Sequence, residues 1–249
     1  MGSVFQLTPP SALGGTWSES DIYTFAGGGS EYPSGSLALG PNGELYGTTT
    51  AGTPPSGGTV FQLTPPAAGG NAWTLSTLHV FRGGKTDGHY AFTGVVVGNG
   101  GSLFGTTQFG GAAGNGTIFK VTPPRPPATR WTESNVYSFT GGSNGAEAGA
   151  LVSAGQVTLL GVTSAGGEMS CAPHQGGCGT VLELTSASGQ WTQRVLHTFH
   201  GLDGAQPDSP LIPGPGGSFF GTTYLGGANA ACAPVNASYP CGTVFQLQP

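Results

Sequence analysis

Apolar residues in this chain come in short clusters, each bounded by glycine, proline or asparagine, and four kinds of cluster recur in a fixed order. The first is an aliphatic run: Leu37 to Leu39, Val95 to Val97, Leu151 to Val152 and Leu211 to Ile212. The second reads Leu45-Tyr46-Gly47-Thr48-Thr49, Leu103-Phe104-Gly105-Thr106-Thr107, Leu159-Leu160-Gly161-Val162-Thr163 and Phe219-Phe220-Gly221-Thr222-Thr223. The third is Val4-Phe5-Gln6-Leu7, returning as Val60-Phe61-Gln62-Leu63, Ile118-Phe119-Lys120-Val121, Val181-Leu182-Glu183-Leu184 and Val244-Phe245-Gln246-Leu247. The fourth opens on Trp17, Trp73, Trp131 or Trp191 and reaches Phe25, Phe81, Phe139 or Phe199 eight positions later. Segments this short, rich in Val, Phe, Tyr, Trp and Thr and punctuated by Gly, Pro and Asn, read as β-strands joined by tight turns. Pro41-Asn42-Gly43 and Asn99-Gly100-Gly101 supply the residues that tolerate positive φ between the first and second strands of a unit. The four strands are labelled a, b, c and d in that order.

The alternation along these strands is not cleanly apolar and polar. Val60 and Phe61 are adjacent, and Trp73 shares parity with Phe81 while Leu78 has the opposite parity, so both sheet faces call for burial. Units of this length with four short antiparallel strands, covered on both faces, predict an all-β fold: a β-propeller of about four four-stranded blades, each sandwiched by its neighbours. Five blades or an incomplete ring are the alternatives, and a β-helix would show a shorter period. The glycine inside every b strand fits a close backbone approach near a crowded axis.

The repeat units run over approximately 2–57, 58–115, 116–178 and 179–241, with a closing strand at 242–249, in a single repeat domain spanning 1–249. Strand c occurs five times and the others four, which makes this a permuted start. A closed ring would pair the N-terminal d strand (17 to 25) with the last a, b and c strands. The strand at residues 3–8 is then surplus: it adds to an edge, pairs with a neighbouring molecule by strand addition, or marks the chain as a fragment of a longer array.

The unit Gly-Thr-Val-Phe-Gln-Leu-Thr-Pro, followed by Trp-Thr, Leu-His-x-Phe-x-Gly-Gly, Asp-Gly and Leu-Tyr-Gly-Thr-Thr, resembles the bacterial extracellular tandem repeats known as HAF or GLoVER-type repeats. The resemblance covers essentially the whole chain. It implies a secreted or surface-displayed, propeller-like array and brings no agreed activity or catalytic residues to carry over. Units three and four depart from it in their longer b-to-c connections, and unit three has Gly161-Val162-Thr163 in place of Gly-Thr-Thr.

Composition narrows the function classes. The 249 residues include 48 glycines and 20 prolines, which excludes extended helical architecture, and no strict Gly-X-Y period points to collagen. Six basic residues and a net charge of −5 give no footprint for nucleic acid, and no apolar run is long enough for membrane insertion. All four cysteines sit in the two extended b-to-c connections: Cys171 with Cys178 and Cys232 with Cys241. Their equivalent placement favours two local disulfides over zinc, whose usual finger spacing they do not match, and implies an extracellular or cell-surface location. Asn115-Gly116-Thr117 and Asn236-Ala237-Ser238 match the N-glycosylation pattern.

In a blade of this topology the d-to-a and b-to-c links emerge together, which places Glu31, Tyr32, Lys85, Asp87, His89, Tyr90, Asn144, Glu147, Asp203, Gln206 and Asp208 on one loop face with His174, Asn236 and Tyr239 of the cystine loops. Tyr32, Asp87, His89, Tyr90, Asp203 and Asp208 are the candidate binding residues, aromatic rings for stacking on a sugar and carboxylates for its hydroxyls. The competing reading makes Asp87-Gly88, Asn144-Gly145 and Asp203-Gly204 turn residues only. His79 and His197 stand where other units have Tyr23 and Tyr137, which suits amphipathic packing with a polar tip. Asp203 and Asp208 are the close acidic pair that glycoside cleavage would need. No nucleophile elbow, zinc-protease or phosphate-loop motif is present, and no metal or cofactor is expected. The expectation is a non-catalytic repeat domain with a structural, adhesive or self-assembly role, with a carbohydrate-binding propeller second and a glycan hydrolase or lyase third. The partners expected are polysaccharide and further copies of the chain.

Overall fold

The computed structural model describes residues 2–26, 31–51, 56–155, 157–171, 176–228 and 241–248, and of Glu31 the backbone only. Among them there are strands and three single-turn 3-10 segments but no α-helix. Strands β1 (Ser3–Thr8) and β2 (Ser18–Thr24) form a hairpin. Strands β3 (Glu31–Leu39), β4 (Leu45–Ala51), β5 (Thr59–Thr64) and β6 (Thr74–Val80) make the first four-stranded antiparallel sheet, in chain order. In the next unit β7 (Gly88–His89) pairs with β10 (Phe109–Gly110), and β8 (Val95–Val97), β9 (Leu103–Thr107), β11 (Thr117–Thr122) and β12 (Thr132–Ser138) make the second sheet. The third sheet holds β13 (Ala146–Ser153), β14 (Thr158–Ala165), β15 (Thr180–Ala187) and β16 (Gln190–Thr198). In the fourth, β17 (Ala205–Pro207) and β18 (Ile212–Pro213) both pair with β19 (Phe219–Leu225), which pairs with β20 (Val244–Leu247).

The a-to-d order of each sheet is the one the sequence clusters predict, but the ring closure is not formed. Strand β2 pairs with β1, from Ser3 opposite Thr24 to Thr8 opposite Ser18, and β20 pairs with β19 alone among the described residues. No sheet is closed. A hairpin across residues 9–17 closes a short loop, whereas pairing residues 17–25 with the C-terminal strands would close one spanning most of the chain, at greater entropic cost.

Consecutive layers pack on each other through four apolar clusters. Val4 and Phe25 of the hairpin layer meet Phe61 and Leu63. Tyr46, Val60 and Phe81 meet Val95, Leu103, Phe119 and Val121. Phe104, Ile118 and Phe139 meet Leu151, Leu159, Leu182 and Leu184, and Leu160, Val181 and Phe199 meet Leu211 and Phe219. Both faces of each interior c strand are thus buried: Val60 and Phe61 are each 0 % exposed. The parity reading of strand d fails, however, because the register slips by one residue between Val60 and Phe61 and leaves Leu78 as an extra residue. Trp73 consequently packs toward the hairpin while Phe81 and Leu78 pack together toward the second sheet. Ile22, Val136 and Leu196 occupy the same bulge in the other c–d pairs, turning strand d over midway.

Each residue of Gly-Thr-Thr has its own task. A Cβ on Gly105 would lie 2.5 Å from the ring tip of Phe119 on the neighbouring strand and 2.9 Å from the backbone oxygen of Gly94, so the glycine makes room for that ring and for a close backbone approach. The first threonine links layers: Thr48 Oγ1 accepts from Gly94 N at 3.0 Å, and Thr106 Oγ1 donates to Gly149 O at 2.9 Å. The second closes the b-to-c link by pairing with the first residue of strand c, as in Thr49–Thr59, Thr107–Thr117, Thr163–Thr180 and Thr223–Thr243, all at 2.8–2.9 Å.

Candidate functional site

Where strand d hands over to the d-to-a link, each described unit builds the same polar pair. His79 packs its ring edge-on against Phe81 and brings Nε2 to 3.2 Å from Asp87 Oδ1. In the next unit Tyr137 stacks on Phe139 and accepts a bond from Asn144 Nδ2 at 2.8 Å. In the last, His197 stacks on Phe199 and reaches Asp203 Oδ2 at 2.9 Å. The aromatic base is buried and the tip is tied to the loop, so histidine and tyrosine interchange without disturbing the layer.

The seam between the first and second sheets carries more than this pair. Glu133 and Asn135, both on β12, stand opposite Val121 and Phe119. Asn135 donates from Nδ2 to Thr86 O at 3.1 Å, which holds it beside Asp87. Glu133 Oε1 and Asn135 Oδ1 are both sealed from solvent and have no hydrogen-bond partner. Burial and the Asp87 charge push the Glu133 carboxyl up to about 7, against the favourable pull of His79. At Asp87 burial pulls upward, but bonds from His79 and from the backbone N–H groups of Arg82 and Gly88 outweigh it and hold the carboxyl below its usual value. Ligand atoms of His79, Asp87 and Glu133 lie within 4.8 Å of one another, the one such group of three among the described residues. Beside it, a cavity of about 660 Å³ lined by Gln62, Ser76, His79, Arg82, Arg130 and Trp131 opens to solvent.

The d-to-a and b-to-c links do meet, as expected, through bonds such as Gly111 N to Asp87 O (3.0 Å) and Gly167 N to Gly142 O (2.7 Å). Tyr32, Tyr90, Glu147 and Gln206 all occupy one corner in which φ is positive, between 53° and 67°. Non-glycine residues rarely adopt this backbone. At three of these corners the N–H ties the layer to the preceding one: Tyr90 to Gly57 O, Glu147 to Asn115 O and Gln206 to Cys178 O. Tyr90 is partly exposed beside the rings of Phe92 and Phe109, Tyr32 is more exposed, and the His89 imidazole lies against Gly57. Lys85 is exposed. Asp203 is engaged by His197, whereas exposed Asp208 lines a separate cavity with Ser209, Thr222 and Tyr224. No bond joins the two acids among the described residues.

Cys171 and Cys178 form the expected disulfide, with Cα atoms 5.5 Å apart, and both are buried against Val181 and Phe199. Cys241 is also disulfide-bonded. Cys232, His174, Asn236 and Tyr239 lie outside the described residues. Sequence reasoning passed over Glu133 and Asn135. An acid two residues after the tryptophan was no signal by itself, because Glu19 follows Trp17 as Glu133 follows Trp131, while Leu75 follows Trp73 and Gln193 follows Trp191. No helix among the described residues is long and apolar enough to cross a membrane.

The model of the Gloeobacter/Verrucomicrobia repeat matches residues 1–172. Among solved structures, the chain is similar to a protein of unknown function from Dyadobacter fermentans DSM 18053, with 14% identity, a TM-score of 0.48, and 94% of this chain and 69% of that one covered. No curated protein matches the sequence.

Proposed function

Because the chain belongs to the Gloeobacter/Verrucomicrobia repeat family, we propose that it is a non-catalytic, extracytoplasmic scaffold of propeller-like blades whose work is assembly. The observation that carries this is a difference in burial between equivalent residues. Phe61 and Leu63 are 0 % exposed inside the stack, while Phe5 and Leu7, at the same positions in the hairpin, are 53 % and 52 % exposed. On the opposite outer face Val244 is 79 % exposed, against 0 % for Val60. The downstream face of every interior layer packs on the upstream face of the next. The outer faces of the hairpin and the fourth sheet are therefore complementary to each other, and a second copy supplies the cover in a heterologous, head-to-tail contact. Val4-Phe5-Gln6-Leu7 and Val244-Phe245-Gln246-Leu247 are identical, so β2 has the same partner sequence on either strand, and among the described residues β1 and β20 each keep an unpaired edge for strand addition. The disulfides support an oxidising compartment.

Sedimentation velocity tests this reading. The wild type is expected to associate with rising concentration and the Phe5→Asp/Val244→Asp double variant to remain monomeric with an unchanged fold. A wild type that is monomeric at every concentration overturns it. A second reading is favoured by the ring cluster of exposed Tyr90 and Phe109 with half-buried Phe92. It makes the loop face a carbohydrate platform, with Tyr32, Asp87, His89, Asp203 and Asp208 at its successive corners. Glycan binding lost on Tyr90→Ala/Tyr32→Ala would support it, and an array with no bound glycan would reject it.

A further inference from the structure

We propose that the seam between the first and second sheets is a binding site for one divalent transition-metal ion, held by His79 Nε2 and the carboxylates of Asp87 and Glu133. This does not depend on self-association. Three chemically suitable donors from two sheets and a loop converge there, with all three ligand atoms within 4.8 Å of one another and His79 Nε2 3.2 Å from Asp87 Oδ1. A tetrahedral ion with bonds of about 2.0–2.2 Å holds its ligand atoms roughly 3.4 Å apart, so side-chain shifts of about 1 Å complete the set.

The independent sign of a ligand is the pair of orphaned oxygens. Glu133 Oε1 and Asn135 Oδ1 are closed off from water and accept no hydrogen bond. A buried carboxylate oxygen left bare is costly, and neither carboxylate is paired with a lysine or arginine among the described residues. A cation answers the need at Glu133, while Asn135 is tethered to Thr86 O, next to Asp87 in the chain. Asp87 is already oriented by N–H bonds from Arg82 (2.7 Å) and Gly88 (2.8 Å), as ligating carboxylates generally are. An imidazole with carboxylates suits zinc or manganese rather than calcium, which takes oxygen ligands. The cavity lined by His79 gives the ion a path from solvent.

The third sheet carries other residues at the same positions, among them Gln193, whose Nε2 is likewise buried without a partner but is a donor that no cation would bind, and so furnishes the control. Following the registers, the third sheet places Gln193 and Val195 where the second has Glu133 and Asn135, and Tyr137 with Asn144 takes the place of His79 with Asp87 in the preceding d strand and loop. His79→Tyr and Glu133→Gln therefore install residues the fold already accommodates elsewhere. Calorimetric titration of zinc chloride, and separately manganese chloride, into the chelator-stripped full chain reads the site, with circular dichroism to verify folding. The wild type is expected to bind one equivalent. His79→Tyr and Glu133→Gln should each weaken it by roughly tenfold or more, whereas His197→Tyr should leave it unchanged. Absence of binding by the wild type with either metal overturns the proposal, as does undiminished binding by the His79→Tyr and Glu133→Gln variants.

Discussion

Replacing Thr107 by valine keeps the shape of a fully buried side chain and removes every polar contact it makes. Its hydroxyl donates to Phe109 O at 2.9 Å, accepts from Thr117 N at 3.2 Å and accepts from the Thr117 hydroxyl at 2.8 Å. One donor and two lone pairs are thus fully used. Valine strands the Thr117 N–H and O–H in a buried site, and at about 1–1.5 kcal/mol for each, plus the lost bond to Phe109 O, the cost is about 3 kcal/mol. Thr117→Val alone removes a single donor and leaves the remaining bonds of Thr107 in place, at about 1 kcal/mol. The double variant leaves only the residue-117 N–H and Phe109 O without partners, at about 2 kcal/mol, so the second substitution should recover about 1 kcal/mol of the first loss, a coupling of about 2 kcal/mol. Urea unfolding followed by tryptophan fluorescence measures all four species. Additive costs, or a Thr107→Val loss below about 0.5 kcal/mol, would refute the assignment of this threonine as the closure of the b-to-c link.

Gly105→Ala should cost about 1–3 kcal/mol in thermal or urea unfolding, since its Cβ meets the Phe119 ring, whereas Gly161→Ala should cost less because Leu182 stands 3.7 Å away and the near contact is the flexible end of Leu151. Phe119→Ala should lose about 3–5 kcal/mol and Phe5→Ala, in the monomer, a small fraction of that, measured as shifts of the urea midpoint. For Asp203, burial raises the carboxyl but bonds from His200 N and His197 hold it below its usual 3.8. Its stabilising contribution is present above that value and lost as pH falls through the lowered one, so the melting temperatures of wild type and Asp203→Asn should differ at neutral pH and converge in acid.

The strand clusters, their order within each sheet, the buried double face of strand c and the Cys171–Cys178 bridge were legible because each repeats and each follows from local propensity or spacing. Three features were not. Parity counting put Trp73 and Phe81 on one face, and a single bulged residue, Leu78, reverses that, since a period-two pattern cannot register an insertion that recurs in every unit. Ring closure was inferred from strand counting, which carries no measure of loop entropy, and β1 beside β2 is the shorter route. Tyr32 and Tyr90 were read as stacking rings from their type, but their shared left-handed backbone with Glu147 and Gln206 is a property of the corner rather than of the side chain.

The seam site escaped for a further reason that bears on where function resides in such a fold. Looking for self-similarity selects residues that recur, and those are the residues of the scaffold: the glycine under the phenylalanine ring, the two threonines, the bulge. The seam between d strands and loops is held by the layers around it and tolerates exchange: Leu75 and Thr77 in the first sheet, Glu133 and Asn135 in the second, Gln193 and Val195 in the third. Chemistry can change there with little change in packing, because the apolar clusters on either side do not draw on those polar atoms. His79, Asp87 and Glu133 come from two different units, brought together only when the layers stack. What sets the proposed site apart is the combination: Glu19 stands at the position of Glu133 in the hairpin, but only in the seam between the first and second sheets does such an acid come within 4.8 Å of a histidine and an aspartate, among the described residues.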